Sequence, residues 1–435
     1  MTPARLVAFE ILRRVDAGSY ASVLLADREA DLEPRDRALC HELVMGVLRW
    51  QLWLDHVIEH FANRKVSGLD LPVKIALRIG LYQLRFLSRI PPSAAVNESV
   101  NLVRMARLRS AEGFVNAVLR RSTREPEYDP AAKLSDPIER LSVETSHPRW
   151  LIDRWIKLIG FAEAQALAVA NNQAAPVAFR VVQNQEEILE RLSAAGARLE
   201  ASEIMNGAWR VSGAGELLRQ LADQGRIYIQ DEASQLAAQA VEAQSGDKVL
   251  DVCAAPGSKA SQIAALGDIQ VIAGDVHAHR IRTVLQAART QRLTNLNCLI
   301  LDGRVGLPFK DATFERVLVD APCSGTGTLR HNPEIRWRIS AQDLQDLPAR
   351  QTQLLCNVAR VVKPGGRLVY STCSLEPEEN EEVVAAFLET TNQFEPASLD
   401  VRKQLRTTAG AARTWPHRDD TEGFFIAAFH RKLQR

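Results

Sequence analysis

The stretch VLDVCAAPGSKA, Val249 to Ala260, decides how the rest of the chain is read. It begins as an apolar run of strand length and ends in small residues ahead of a helical segment. A sharp turn of small residues lets a ligand approach the backbone closely, and Ala254, Ala255 and Gly257 provide one. The first turn of the helix that follows carries free N–H groups. The turn is neither G-x-G-x-x-G nor a Walker loop, because it has one glycine and no G-K-[ST]. A phosphate cradle is therefore disfavoured.

Outward from this stretch, residues 241–435 alternate between apolar runs and helical segments. The strand candidates are KVLDVCA, IQVIAGD, NCLILD, ERVLVDAP and GRLVYSTCS, and DLPARQTQLLCNVARVV and NEEVVAAFLETT read as helices. This is the pattern of a mainly parallel, doubly wound sheet, whose ligands bind at the carboxyl ends of strands. Asp275 ends the second strand, 24 positions after Asp251. An acid there can hold both hydroxyls of a ribose. Asp302 ends the third strand and can hold an adenine amino group. A single strand-end aspartate is usually a turn former. In register with the small-residue loop, these aspartates instead make a pocket for ribose and adenine without pyrophosphate, which suits S-adenosylmethionine.

The chain has six cysteines, Cys40, Cys253, Cys298, Cys323, Cys356 and Cys373. None forms a C-x-x-C pair, so no metal site is expected, and their wide spacing argues against a disulfide framework. Cysteine is often buried filler, and Cys298 and Cys356 read that way. Cys323 follows Asp320 and Pro322 at the end of the fourth strand, and Cys373 ends the fifth. Each alone is filler or nucleophile. Together, at neighbouring strand ends, they are hard to explain as packing. A thiolate there suits methylation of an unreactive carbon: attack at C6 of a pyrimidine makes C5 enamine-like. Beyond Cys373, the glutamates of EPEEN read as the solvated start of a helix, with Pro377, Glu378 and Glu379 in its first turn.

At 435 residues the chain is long enough for two or three domains, and its 46% hydrophobic and 25% charged residues are ordinary for a globular protein. No run reaches the roughly 18 apolar residues of a membrane span. The N-terminus MTPARLVAFEILRRV lacks a signal-peptide core, and Glu10 and Asp16 argue against a transit peptide, so a cytoplasmic protein is expected. Residues 1–140 read as an α-helical bundle, with one pattern continuing from Asp36 to Ala62 and another from Leu71 until Ile90 to Pro92 stop it. Within it, residues 61–125 carry 12 Lys/Arg against 4 Asp/Glu, a net of +8, although the whole chain is only +1. That asymmetry suits a polyanion partner as well as a solvated helical surface. Residues 141–240 read as a small α/β module, with strands in VAFRVVQ, AWRVSG and RIYIQ. A helix in EEILERLSAAG is ended by Gly196. The expected domains are thus 1–140, 141–240 and 241–435.

DVCAAPGSK, DAPCSGTG and STCSLEPEEN resemble the signature motifs of RNA cytosine-5 methyltransferases of the Sun/NOL/NOP type. GVLRW, GLYQLRFLSRIPPSAAVNESV and FVNAVLRR resemble the NusB-like RNA-binding domain that accompanies the bacterial enzyme acting on 16S ribosomal RNA. The match spans nearly the whole chain. It implies a Rossmann-like S-adenosylmethionine methyltransferase domain behind a NusB-like helical domain and a small α/β module. It implies Cys373 as nucleophile, Cys323 assisting release of the RNA adduct, and Asp320 contacting the cytosine and the cofactor. It also implies S-adenosylmethionine held by Cys253, Ala254, Ala255, Pro256, Gly257, Ser258, Lys259, Asp275 and Asp302. The implied partner is 16S rRNA before full subunit assembly, met by a monomeric enzyme away from any membrane. Ser258 and Ala260 depart from the glycine and threonine usual at their positions. The competing readings are a non-catalytic RNA-binding assembly factor, and an amino-group methyltransferase, which DAPC at the fourth strand disfavours.

Overall fold

A computed structural model describes residues 2–28 and 31–433. The chain forms two compact units, one of Met1–Ala174 with Leu329–Arg338, the other of Ala175–Thr328 with Ile339–Arg435.

The first unit is helical. Its helices run Pro3–Asp16, Ala21–Arg28, Pro34–Arg49, Gln51–Ala62, Leu71–Phe86, Pro92–Met105 and Glu112–Arg124, followed by Pro137–Glu144, Arg149–Ile159 and Phe161–Ala170. Prolines begin several of them, where the missing N–H costs nothing. The apolar face of Leu71–Phe86 buries Val73, Ile75, Leu77, Ile79 and Leu81 in the common core. The single pattern expected from Asp36 to Ala62 is two helices, because the backbone leaves helical geometry at Trp50 (φ −103°, ψ 18°). Pro92 starts a helix; the preceding one has already ended at Phe86. Leu329–Arg338 contributes Arg336, which is fully buried. Its guanidinium donates to Asn172 Oδ1 at 2.9 Å and to the carbonyls of Ser146 and Asn171, both at 3.2 Å. Trp337 Nε1 donates to the Leu48 carbonyl at 2.8 Å.

The second unit holds two sheets. The smaller is antiparallel in the order β2-β3-β1-β4, from β1 (Val177–Val181), β2 (Arg198–Ala201), β3 (Ala208–Ser212) and β4 (Ile227–Ile229). Helices Gln185–Ala194 and Gly215–Asp223 cover it through Ile188, Leu192, Leu218 and Leu221. The larger sheet has β5 (Lys248–Asp251), β6 (Gln270–Asp275), β7 (Leu296–Ile300), β8 (Phe314–Asp320), β9 (Val362–Thr372), β10 (Phe394–Pro396), β11 (Ala412–Arg413) and β12 (Phe425–Arg431). Its order is β10-β12-β9-β8-β5-β6-β7, with β11 beside β12. The five strands expected from sequence are β5 to β9, all parallel, and β10 to β12 extend the sheet antiparallel. Because β5 lies between β6 and β8, the chain direction of build-up reverses there, the place where such sheets open a crevice for ligands. Among the described residues, no helix is long and apolar enough to cross a membrane.

Candidate active site

The loops after β5, β8 and β9 carry most of the residues singled out from sequence. Asp320 ends β8 and pairs in register with Ser371 of β9, so the two cysteine loops leave the sheet side by side. Cys323 Sγ and Cys373 Sγ lie 3.3 Å apart. The hydrogen bond between them, with burial and nearby carboxylates added, holds the Cys323 thiol well above its ordinary pKa. The protonated form of Cys323 is thereby favoured, and either sulfur can be the donor between them. Burial likewise pushes Cys253, Cys298 and Cys356 upward. Cys298 and Cys356 pack against apolar cores, and Cys40 is wholly enclosed in the helical unit.

Beside the thiols lies a buried ion pair. Lys259 Nζ donates to Asp320 Oδ2 at 2.7 Å, and Ser371 Oγ donates to Oδ1 at 2.7 Å. Burial lowers an ammonium's pKa, but Asp320, with Asp251 and Cys373 adding to it, outweighs burial, and Lys259 ends above its ordinary value. The ammonium also lies 5.1 Å from the centroid of the Phe424 ring.

The β5 loop is tight. Gly257 has φ +107° and caps the helix Ser258–Ala264. The left-handed position thus falls on glycine, and Ser258 is the first residue of an ordinary helix turn, so its side chain meets no backbone strain. Asp251 is completely buried, and neither carboxylate oxygen receives a hydrogen bond of ordinary geometry. Burial, reinforced by Asp320, pushes its carboxyl up to about 8. Asp275 is 3% exposed; it accepts from His277 N at 2.9 Å and faces Arg280 at 3.3 Å. Asp302 is turned into its own loop, where hydrogen bonds from Arg304 hold its carboxyl below the usual range.

The glutamates after Cys373 need a correction. Pro377–Glu379 forms a short 3-10 turn, and Glu381 and Glu382 begin the helix Glu381–Thr390. Glu376 and Glu379 are not solvated at all; both are fully buried. Glu379 accepts from Ser324 N at 2.8 Å, from Gln351 Nε2 at 2.9 Å, and from the hydroxyls of Ser324 and Ser374. The backbone closes the same cluster: Gly327 N donates to Cys373 O at 2.9 Å, and Gly423 N to Gly327 O at 2.8 Å.

Three comparisons bear on this arrangement. The model described as 16S rRNA methyltransferase RsmB/F matches residues 238–430, the NusB family matches 2–124, and a RsmF/B-like ferredoxin-like domain matches 147–217. The probable ribosomal RNA small subunit methyltransferase B of Bacillus subtilis is 33% identical over 448 residues, covering 99% of each chain. The chain belongs to the ribosomal RNA small subunit methyltransferase B family. The namesake protein of Yersinia pseudotuberculosis is 32% identical over 442 residues, covering 98% of each chain. The crystal structure of PH0851 is similar at TM-score 0.86 and 26% identity, covering 99% of each chain. That of a methyltransferase homologue from Pyrococcus horikoshii gives 0.59 at 28%, covering 69% of this chain and all of the other.

Membership in the methyltransferase B family makes S-adenosylmethionine the methyl donor, and the residues present fit it. An orphaned, buried carboxylate beside a small-residue turn is what a cationic ligand needs, and this donor carries a sulfonium and an ammonium. Asp251 was counted among the strand-end aspartates but given no binding role of its own, because a strand-end aspartate gives no sign of lacking partners. Ser324, Ser374 and Glu379 were also missed. Their one signal was the repeated Cys-Ser dipeptide at 323–324 and 373–374.

Proposed function

We propose that this chain methylates C5 of a cytosine in 16S ribosomal RNA through a covalent adduct between Cys373 and C6 of the base. The observation that carries the reading is the thiol pair 3.3 Å apart, next to the Lys259–Asp320 ion pair. Cys373 attacks as thiolate: the S–C6 bond forms, and the C5=C6 π pair moves onto C5. Asp320 contacts the pyrimidine edge near N3, and the Lys259 ammonium against it offsets the negative charge the ring takes up. S-adenosylmethionine, when bound, supplies the electrophilic methyl group for C5. Once the C5 proton has passed to a base, its bonding pair restores C5=C6. The S–C6 pair then returns to Cys373. Cys323, its Sγ 3.3 Å from Cys373 Sγ, then donates a hydrogen bond to the departing thiolate and assists release.

In this reading Cys253 to Lys259, Asp275, Asp302 and Asp320 bind the donor, with Asp251 beneath them. Residues 1–140 capture RNA, 141–240 connect, and 241–435 transfer the methyl group. Nine of the 12 basic side chains in 61–125 are exposed, which supports RNA capture. The enzyme acts as a cytoplasmic monomer on 16S rRNA before the subunit is fully assembled.

The test is tritiated methyl transfer to 16S rRNA lacking the modification, followed by digestion to nucleosides. Label in 5-methylcytosine is expected. Label confined to another nucleoside, or none with any form of the RNA, overturns the reading.

A further inference from the structure

We infer that Glu379 is a positioning residue, whose buried carboxylate clamps the Cys323 loop to the Cys373 loop and fixes the spacing of the two thiols. The inference rests on the thiol chemistry proposed above. Glu379 has no exposed surface, so it does not touch the RNA base and acts through its neighbours. Those neighbours are the residues flanking the thiols. Ser324 follows Cys323, Ser374 follows Cys373, and Gln351 Nε2 donates at 2.9 Å both to Glu379 and to the carbonyl of Pro322, just before Cys323. One carboxylate is thereby bonded to both loops. Oε1 takes the N–H of Ser324 and the amide of Gln351, and Oε2 takes the two hydroxyls. Asn380 extends the clamp on the Cys373 side. Its Nδ2 donates to Ser374 O at 2.8 Å, and its Oδ1 accepts from Thr372 Oγ1 at 2.5 Å.

A buried carboxylate costs free energy unless its lone pairs are met, and here four donors meet it. Three of them come from Ser324 and Ser374, 55 and 5 positions away in sequence, each next to a thiol. A loop clamp of this kind matters because a misplacement of about 1 Å at a reacting group costs on the order of 100-fold in rate. The backbone bond from Gly327 N to Cys373 O joins the same loops, but it does so four residues beyond Cys323. Glu379 acts at the residue next to each sulfur.

The test uses the full chain with Glu379→Ala and Glu379→Gln. Glutamine keeps one oxygen for the two N–H donors, and its NH2 can donate to both serine hydroxyls, so it preserves the clamp. Glu379→Ala is expected to lower kcat about 100-fold, with KM for RNA and affinity for S-adenosylmethionine within about twofold. Glu379→Gln is expected to restore kcat to within about threefold. A second readout needs no methyl transfer: closure of the Cys323–Cys373 disulfide by a diazene, which takes the two thiol protons and two electrons. Closure is expected to be about tenfold slower in Glu379→Ala and near the wild-type rate in Glu379→Gln. Wild-type kcat or wild-type closure in Glu379→Ala overturns the inference. So does equal loss of kcat, donor affinity and thermal stability in both variants, which assigns Glu379 to folding alone. If Glu379→Ala does not fold, Ser324→Ala with Ser374→Ala removes both hydroxyl donors, and unchanged kcat and closure then overturn it. A wild-type chain that closes the disulfide but never methylates cytosine sinks the proposed reaction and leaves the clamp standing.

Discussion

Cys323 and Cys373, 50 residues apart in sequence, meet at 3.3 Å between their sulfurs, and that contact with burial holds the Cys323 thiol well above its ordinary pKa. The two thiols divide the labour. Cys373→Ala is expected to lose methyl transfer by roughly 1000-fold or more. Cys323→Ala leaves attack possible but removes the hydrogen bond to the leaving thiolate. It is expected to accumulate a covalent protein–RNA species, read as a retarded band on a denaturing gel. Absence of that band in the presence of RNA and methyl donor counts against the release role.

The Lys259–Asp320 pair is buried on the lysine side, with 8% exposure at Lys259 and 26% at Asp320. Removing one partner of such a pair costs about 3–5 kcal/mol. Lys259→Met is expected to fall in that range in urea unfolding and to abolish transfer. Adding Asp320→Asn is expected to return part of the stability and none of the activity. A single variant as stable as wild type would show that the pair carries no net weight.

Asp251 predicts a pH dependence. Its carboxyl is raised from 3.8 to about 8, so the folded chain keeps a proton that the unfolded chain releases over that window. The stability this group contributes is complete below the unfolded value and is lost as pH rises through about 8. The thermal midpoint of Asp251→Asn, relative to wild type without ligand, is expected to climb across this window and level off above it. Binding of the cationic donor near pH 7 should release a proton, measurable by calorimetry in buffers of different ionisation enthalpy. No proton release refutes the pairing.

Gly327 has no room for a side chain. A Cβ there meets the Gly423 carbonyl well inside van der Waals contact and lies 2.9 Å from the Cys373 carbonyl oxygen. Gly327→Ala is expected to destabilise the second unit by at least about 2 kcal/mol, and to depress transfer beyond what stability explains. Wild-type melting and activity would show that the two backbones separate freely.

Arg107 and Arg109 are exposed on the basic part of the helical unit. Replacing both with glutamate is expected to weaken RNA binding and flatten its salt dependence by about two phosphate contacts. The affinity for S-adenosylmethionine should not change. An unaltered salt slope places RNA capture elsewhere.

The parallel strands were legible because each is an apolar run ending at a loop, and β5 to β9 fall where those runs predicted. β2 was not, because its RLEA is short, polar and largely exposed. The break at Trp50 escaped because apolar spacing continues through it, and only the backbone angles mark the stop. Asp302 lies two residues past β7, but the strand-end positions of Asp275, Asp320 and Cys373 were readable. Glu379 was not: a glutamate in a run of glutamates looks solvated. The donors that bury it come from Ser324, Gln351 and Ser374, which spacing cannot connect.

The Leu329–Arg338 segment has a consequence for how the protein is made. Ribosomes release a chain from its N-terminus, and early domains commonly fold as they emerge. Here the helical unit includes ten residues encoded far downstream, and Arg336 bonds the carbonyls of Ser146 and Asn171 only after it has been synthesised. The contacts that Arg336 and Trp337 make to the helical unit therefore form only after residue 338 has left the exit tunnel.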